Sequence, residues 1–157
     1  MSEPAGPSHH YRSVADLPAA IPVFPLAGAL LLPRSQLPLN IFEPRYLKLV
    51  DDALSGRRII GMVQPDGEDA IAASGDPDAQ PPLCAVGCAG RLTSWTEMPD
   101  GRALITLTGI ARFRIERELD VVTPYRQCAV SWQEFASDLT PEFGAGEVSR
   151  DRLLAIL

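Results

Sequence analysis

This 157-residue sequence predicts an α+β fold that is mostly β, with about six strands and one covering helix. Three observations carry that prediction. Fifteen prolines and twelve glycines favour short elements joined by many turns over long helices. Ala111, Phe113 and Ile115 alternate with Arg112, Arg114 and Glu116, the period of a half-buried strand. Before the C-terminus, only Pro44 to Ser55 combines helical periodicity with both a start and a stop signal. A 46% hydrophobic and 22% charged composition suits one globular domain with a real core.

Residues 1–18 are small, polar and proline-containing, the composition of a mobile tail. Ile21 to Leu26 follows as an extended segment, because each residue before a proline is pushed out of the α region. Its prolines, Pro22 and Pro25, place it at an edge or rim. Leu37 to Phe42 reads as the second strand. In the helix Pro44 suits the first turn, Glu43 sets negative charge at the positive dipole end, and Gly56 supplies the stop. Tyr46, Leu47, Val50, Ala53 and Leu54 make one apolar face.

Arg58 to Gln64 is the third strand. The long loop Pro65 to Pro82 then carries Asp66, Glu68, Asp69, Asp76 and Asp78, nearly all of the formal charge of −6. Leu83 to Trp95 reads as a strand with bends or bulges at Gly87 and Gly90. Pro99-Asp100-Gly101 marks a hairpin into Arg102–Thr108, and Gly109 is expected to turn the chain into Ala111–Leu119. Tyr125 to Trp132 is the last strand, with Cys128, Val130 and Trp132 on one face. The main unit therefore spans 19–135. Residues 136–157 read as a linker and the start of a C-terminal helix: Ser149 to Leu157 is apolar and ends without a stop signal, as in a helix cut from a longer chain.

Much chemistry is unprovided for. The only histidines, His9 and His10, fall in the expected tail, which removes the base of a Ser–His–Asp or Cys–His arrangement and the usual zinc ligands. Lys48 is the only lysine and lies between two leucines inside the helix, so a P-loop is absent and a Ser–Lys dyad is strongly disfavoured. Glu97 and Asp100 sit in a turn-rich hairpin and read as solvated charge rather than an acid–base pair. No catalytic residue, metal site or cofactor is expected. Cys84 and Cys88 in a strand stand ~13 Å apart, beyond disulfide reach. With Cys128 they read as reduced, mostly buried thiols. Residues 1–17 lack the basic and apolar regions of a secretory leader. The longest apolar run, Val23 to Leu32, holds Pro25 and Gly28 and falls short of the ~20 residues of a membrane span. The expected location is the cytoplasm.

The segments quoted above resemble, in order, the N-terminal substrate-binding domain of ATP-dependent Lon proteases. The resemblance rests on Ile21–Leu26 with Pro25, on Leu37–Tyr46 with Phe42, Glu43, Pro44 and Arg45, and on Ile60-Gly61-Met62. It continues through Val86-Gly87-Cys88-Ala89-Gly90-Arg91-Leu92, Asp100-Gly101-Arg102, Gly109–Ile115 with Arg112 and Phe113, and Pro124-Tyr125. It implies a PUA-like β-barrel followed by a helical part, in a protein that recognises polypeptide and does not cut it. Unfolded or hydrophobic polypeptides, or a partner ATPase or protease, are the expected partners, with homo-oligomerisation left open.

Most motif residues have a structural reading. Phe42, Tyr46 and Phe113 are expected in the core. Glu43, Arg45 and Arg112 are expected to form an ion group fixing the helix on the sheet, and Gly87, Gly90, Gly101 and Gly109 to serve turns or bulges. The candidate binding surface is the connection Ala27–Pro33, where Leu30, Leu31 and Leu32 run consecutively before Pro33. Exposed apolar patches mark peptide contacts, and a rim strand can add an extended peptide. Burial under the helix or against a second copy is an equally weighted reading. RNA binding is the alternative function, by fold analogy alone, with Arg91, Arg102, Arg112, Arg114 and Arg117 as its basic face.

Overall fold

The computed structural model describes residues 11–68 and 80–140. Among the described residues six strands form: β1 Ala20–Pro25, β2 Gln36–Ile41, β3 Ile59–Val63, β4 Val86–Glu97, β5 Ala103–Glu118 and β6 Arg126–Ser131. The helix α1 spans Pro44–Ser55, and 3-10 segments lie at Val14–Asp16 and Gln133–Leu139. Strand order is β2-β5-β4-β3-β1-β6, with β6 returning to pair with β5. Five strands therefore close into a barrel, and β2 lies outside it along the first half of β5. Every pairing is antiparallel except β1 with β3. That one parallel pair needs a long crossover, which β2 and α1 supply.

One division of the chain differs from expectation. Arg102–Thr108 and Ala111–Leu119 are not two strands parted at Gly109 but one strand of 16 residues, β5. Gly90 pairs with Gly109 while Ala89 pairs with Ala111, leaving Ile110 as an extra residue. Such a bulge bends a strand without ending it. The bend lets β5 face β2 with its first half and β6 with its last.

The sheet is buried on both faces. Inside the barrel lie Ile21, Val23, Ile59, Val63, Phe113, Cys128, Val130 and Trp132, among others. A second core forms where α1 covers the other face: Leu49, Val50 and Ala53 meet Ile60, Met62, Leu92, Ile105 and Leu107. Alternation along β3 sends Ile60 and Met62 to one core and Ile59 and Val63 to the other. Phe113 is fully buried, and Gly87 makes room for it: a Cβ at 87 would sit 2.7 Å from the ring.

The helix has the expected bounds with differences at both ends. Glu43 is the N-cap but makes no side-chain cap bond; its carboxylate accepts from Arg45 Nε at 3.1 Å. Leu49 is wholly buried at the centre of the apolar face, while Leu47 and Leu54 pack at its margins. Gly56 has φ −118°, so it is no left-handed stop. Arg58, at φ +64°, reverses the chain and donates its N–H to the Ala53 carbonyl at 3.0 Å.

Of the expected tail, residues 1–10 lie outside the described residues and 11–18 are folded. Tyr11 and Leu17 are buried in the barrel cluster, Ser13 caps a 3-10 turn, and the Trp132 indole donates to Pro18 O at 2.8 Å. The expected C-terminal helix also lies outside the described residues, as does the middle of the acidic loop. Its neck is described: Pro65 bridges Leu83, with Asp66 N–H bonded to Pro82 O at 2.8 Å and Cys84 N–H to Gln64 O at 2.9 Å. Among the described residues no helix is long and apolar enough to cross a membrane.

Candidate functional site

The connection between β1 and β2 is held at both ends. At the start, Leu26 N–H donates to Val63 O at 3.1 Å, continuing the β1–β3 ladder. The Gln64 side chain then grips the loop twice: Oε1 accepts from Gly28 N–H at 3.0 Å and Nε2 donates to Ala29 O. At the far end Ser35 Oγ accepts from Leu32 N–H at 3.0 Å and donates to Leu32 O at 2.8 Å. Gly109 accepts from Arg34 N–H at 2.9 Å and donates to Ser35 O at 2.8 Å. The loop backbone rests directly on Gly109, where a Cβ would collide with the Leu32 carbonyl and lie 3.0 Å from Pro33 Cα. That contact, and not a turn, is why residue 109 has no side chain.

Clamping sorts the three leucines. Leu31 points inward, 3% exposed, in the core beneath α1 and against Gly90. Leu30 and Leu32 point out, 70% and 49% exposed. An extended backbone sends alternate side chains to opposite sides, so one leucine anchors the loop and its neighbours face water. Pro33 is half-buried at the loop's end.

Beside these leucines is a cleft of about 180 Å³ lined by Leu30, Leu31, Leu32, Met62, Val86, Cys88 and Arg112. Its one formal charge is tied back. Arg112 Nε and Nη2 donate to the two oxygens of Asp138 at 3.0 and 2.9 Å, and the guanidinium stacks over Phe135 at 4.6 Å. Burial pushes the Cys88 thiol up to about 12, so this wall stays neutral at ordinary pH. The cleft is an apolar trough whose lining includes one buried thiol and one ion-paired cation. It offers mainly van der Waals contact. Among the described residues no group of three or more His, Cys, Asp or Glu is placed to hold a metal ion.

Several expected roles change. Phe42 is 63% exposed and not in the core: Ile41 takes the inward position at the end of β2, which turns its neighbour out. Tyr46 and Phe113 are buried as expected. Arg112 does not join Glu43 and Arg45; it pairs with Asp138, while Arg45 pairs with Glu43 and lies 4.6 Å over the Tyr46 ring. Pro25 is buried and aligned with Val63, and Pro44 begins α1. Gly101, at φ +93°, and Asp100, bonded to Arg102 at 2.7 Å, form the β4–β5 hairpin. Sequence reasoning missed Gln64, whose only signal is a polar residue ending a strand that is otherwise apolar.

A family model described as "ATP-dependent protease La (LON) substrate-binding domain" matches residues 20–153. A Lon protease of Flavobacterium johnsoniae is 30% identical over 115 residues, which are 73% of this chain and 13% of that protein. The chain spans about 15% of the length of the curated relatives it matches. Among solved structures, a Lon N-terminal domain protein from Xanthomonas campestris superposes with TM-score 0.55 at 29% identity, covering 72% of this chain and 59% of that one. The N-terminal domain of the Mycobacterium avium complex Lon protease gives TM-score 0.55 at 11% identity, covering 72% and 54%, a likeness of fold alone.

Proposed function

Because the chain belongs to the Lon substrate-binding domain family, we propose that it is a non-catalytic module that captures unfolded or hydrophobic polypeptide. The loop Ala27–Pro33 is its contact surface, and a separate ATP-driven protease is the partner to which it presents the captured chain. One observation supports this reading: two leucines stand exposed on a β1–β2 connection fixed by the seven backbone and side-chain bonds described above, over an apolar cleft. Exposure on a mobile segment would be unremarkable, whereas a rigid apolar edge loses little conformational entropy when a partner covers it.

Covering Leu30 and Leu32 is worth ~1.5–3 kcal/mol each at full burial. The variant Leu30→Ser/Leu32→Ser should therefore weaken capture of a denatured client at least about tenfold. The measurement is fluorescence anisotropy with a labelled, permanently unfolded polypeptide, alongside thermal unfolding to show an intact barrel. Undiminished binding by the folded double variant would remove this loop as the contact surface. Leu31 is left in place, since polar substitution there would disturb the core and confound the result.

A further inference from the structure

The groove between α1 and the β4–β5 hairpin is a second, chemically different surface. It measures about 340 Å³ and is lined by Leu47, Lys48, Asp51, Trp95, Glu97 and Ala103, near the lower bound of ligand-pocket sizes. Its composition departs from the pattern around it. Trp95 is aligned with Ile105 and Glu97 with Ala103, and aligned residues project from the same face of a sheet. Ile105 and Ala103 are 2% and 3% exposed in the core beneath α1. Trp95 and Glu97 therefore stand on the core-facing side of the sheet, just past the end of the helix cover. Trp95 remains 45% exposed and Glu97 exposed.

The charges do not cancel within the groove. Among the described residues its one lining cation, Lys48, is held by Asp52 at 3.0 Å one helical turn on, with the Asp51 charge acting on it more weakly. The nearby Arg102 is tied to Asp100 at 2.7 Å. The carboxylates of Asp51 and Glu97 form no side-chain hydrogen bond or ion pair with any described residue, although the Asp51 backbone carbonyl accepts from Ser55 Oγ at 3.3 Å. An indole face and two carboxylates without a hydrogen-bonded cation thus share one groove with Leu47 and Val50.

We propose that this groove seats an arginine side chain of a bound polypeptide. A planar guanidinium stacks on an indole face and satisfies carboxylates with forked hydrogen bonds, which a compact ammonium does less well. Charge complementarity selects this occupant over an acidic or purely apolar segment. The site goes beyond hydrophobic capture at Ala27–Pro33 and shares no lining residue with that cleft.

The chain supplies its own reporter. Trp95 is half-exposed in the groove, while the other tryptophan, Trp132, is buried and bonded to Pro18 O. Titration with the capped tripeptide Ala-Arg-Ala should give a saturable change in Trp95 emission. Replacing arginine by its neutral isostere citrulline should weaken binding at least fivefold, and lysine should rank between them. Asp51→Asn and Glu97→Gln should each weaken Ala-Arg-Ala about threefold, and together about tenfold, as exposed charge pairs do. Leu30→Ser/Leu32→Ser should leave this titration unchanged, which separates the groove from the leucine cleft. Equal binding of the citrulline peptide, no effect of the folded double carboxylate variant, or an unaltered emission throughout would each overturn the assignment.

Discussion

Gly109 lies beneath the loop Ala27–Pro33 with no space for a methyl group, because the Leu32 carbonyl and Pro33 Cα occupy it. Gly109→Ala should lift the loop from β5 and cost ~1–3 kcal/mol, the range for overpacking; urea unfolding measures it. Two thiols provide a test by pH. Burial raises Cys88 to about 12 and Cys128 to about 11, above the ordinary 9.0. A raised folded value means that the unfolded chain gives up these protons first. Stability should hold below about pH 9 and decline toward pH 12, by up to ~1.4 kcal/mol per pH unit for each thiol. Denaturant midpoints followed from pH 8 to 11 test this, and Cys128→Ala should flatten the slope. Single residues were legible when their periodicity was read strictly. Phe42 is expected in the core as part of the apolar run Leu37–Phe42, whereas the inward positions Leu37, Leu39 and Ile41 turn it out.

Among the elements, the β1–β2 connection behaves as a small rigid part with one anchor. Leu31→Ala should cost ~2–5 kcal/mol, the range for a buried leucine, whereas Leu30→Ser and Leu32→Ser should stay within ~0.5 kcal/mol of the parent. Chemical denaturation of the three single variants reads this ordering directly. Gln64→Ala removes both bonds to Gly28 and Ala29, so the Gly28 amide should exchange with solvent at least about fivefold faster while amides of β3 do not change. The helix was legible to both ends because Pro44 and the apolar stripe act locally. The strand β5 was not: glycine punctuation marks turns, bulges and close approaches alike, and only the loop packed on Gly109 decides between them. Nor could local spacing reveal that Gln64 reaches back 36 residues to Gly28.

For the molecule as a whole, the distribution of charge argues against a nucleic-acid surface. Three arginines of the expected basic face are matched by carboxylates: Arg102 with Asp100, Arg112 with Asp138 and Arg114 with Glu134, all within 3.0 Å. Arg91 donates instead to the Tyr11 hydroxyl at 3.3 Å. Single-stranded RNA should accordingly give no salt-dependent shift in a binding assay even at low ionic strength. Fold class and strand count were legible from alternation and turns. Barrel closure was legible only through the family resemblance, since the β5–β6 ladder joins segments by register and not by any local pattern.

The neck of the acidic stretch carries a practical corollary. Its two backbone bonds and the Pro65–Leu83 bridge fasten the chain where it leaves and re-enters the barrel. Lengthening a closed loop is thermodynamically cheap, ~0.6 kcal/mol for each doubling. This protein therefore has a built-in grafting point: an epitope or a whole foreign domain spliced between the two ends of the neck should leave the melting transition almost where it was.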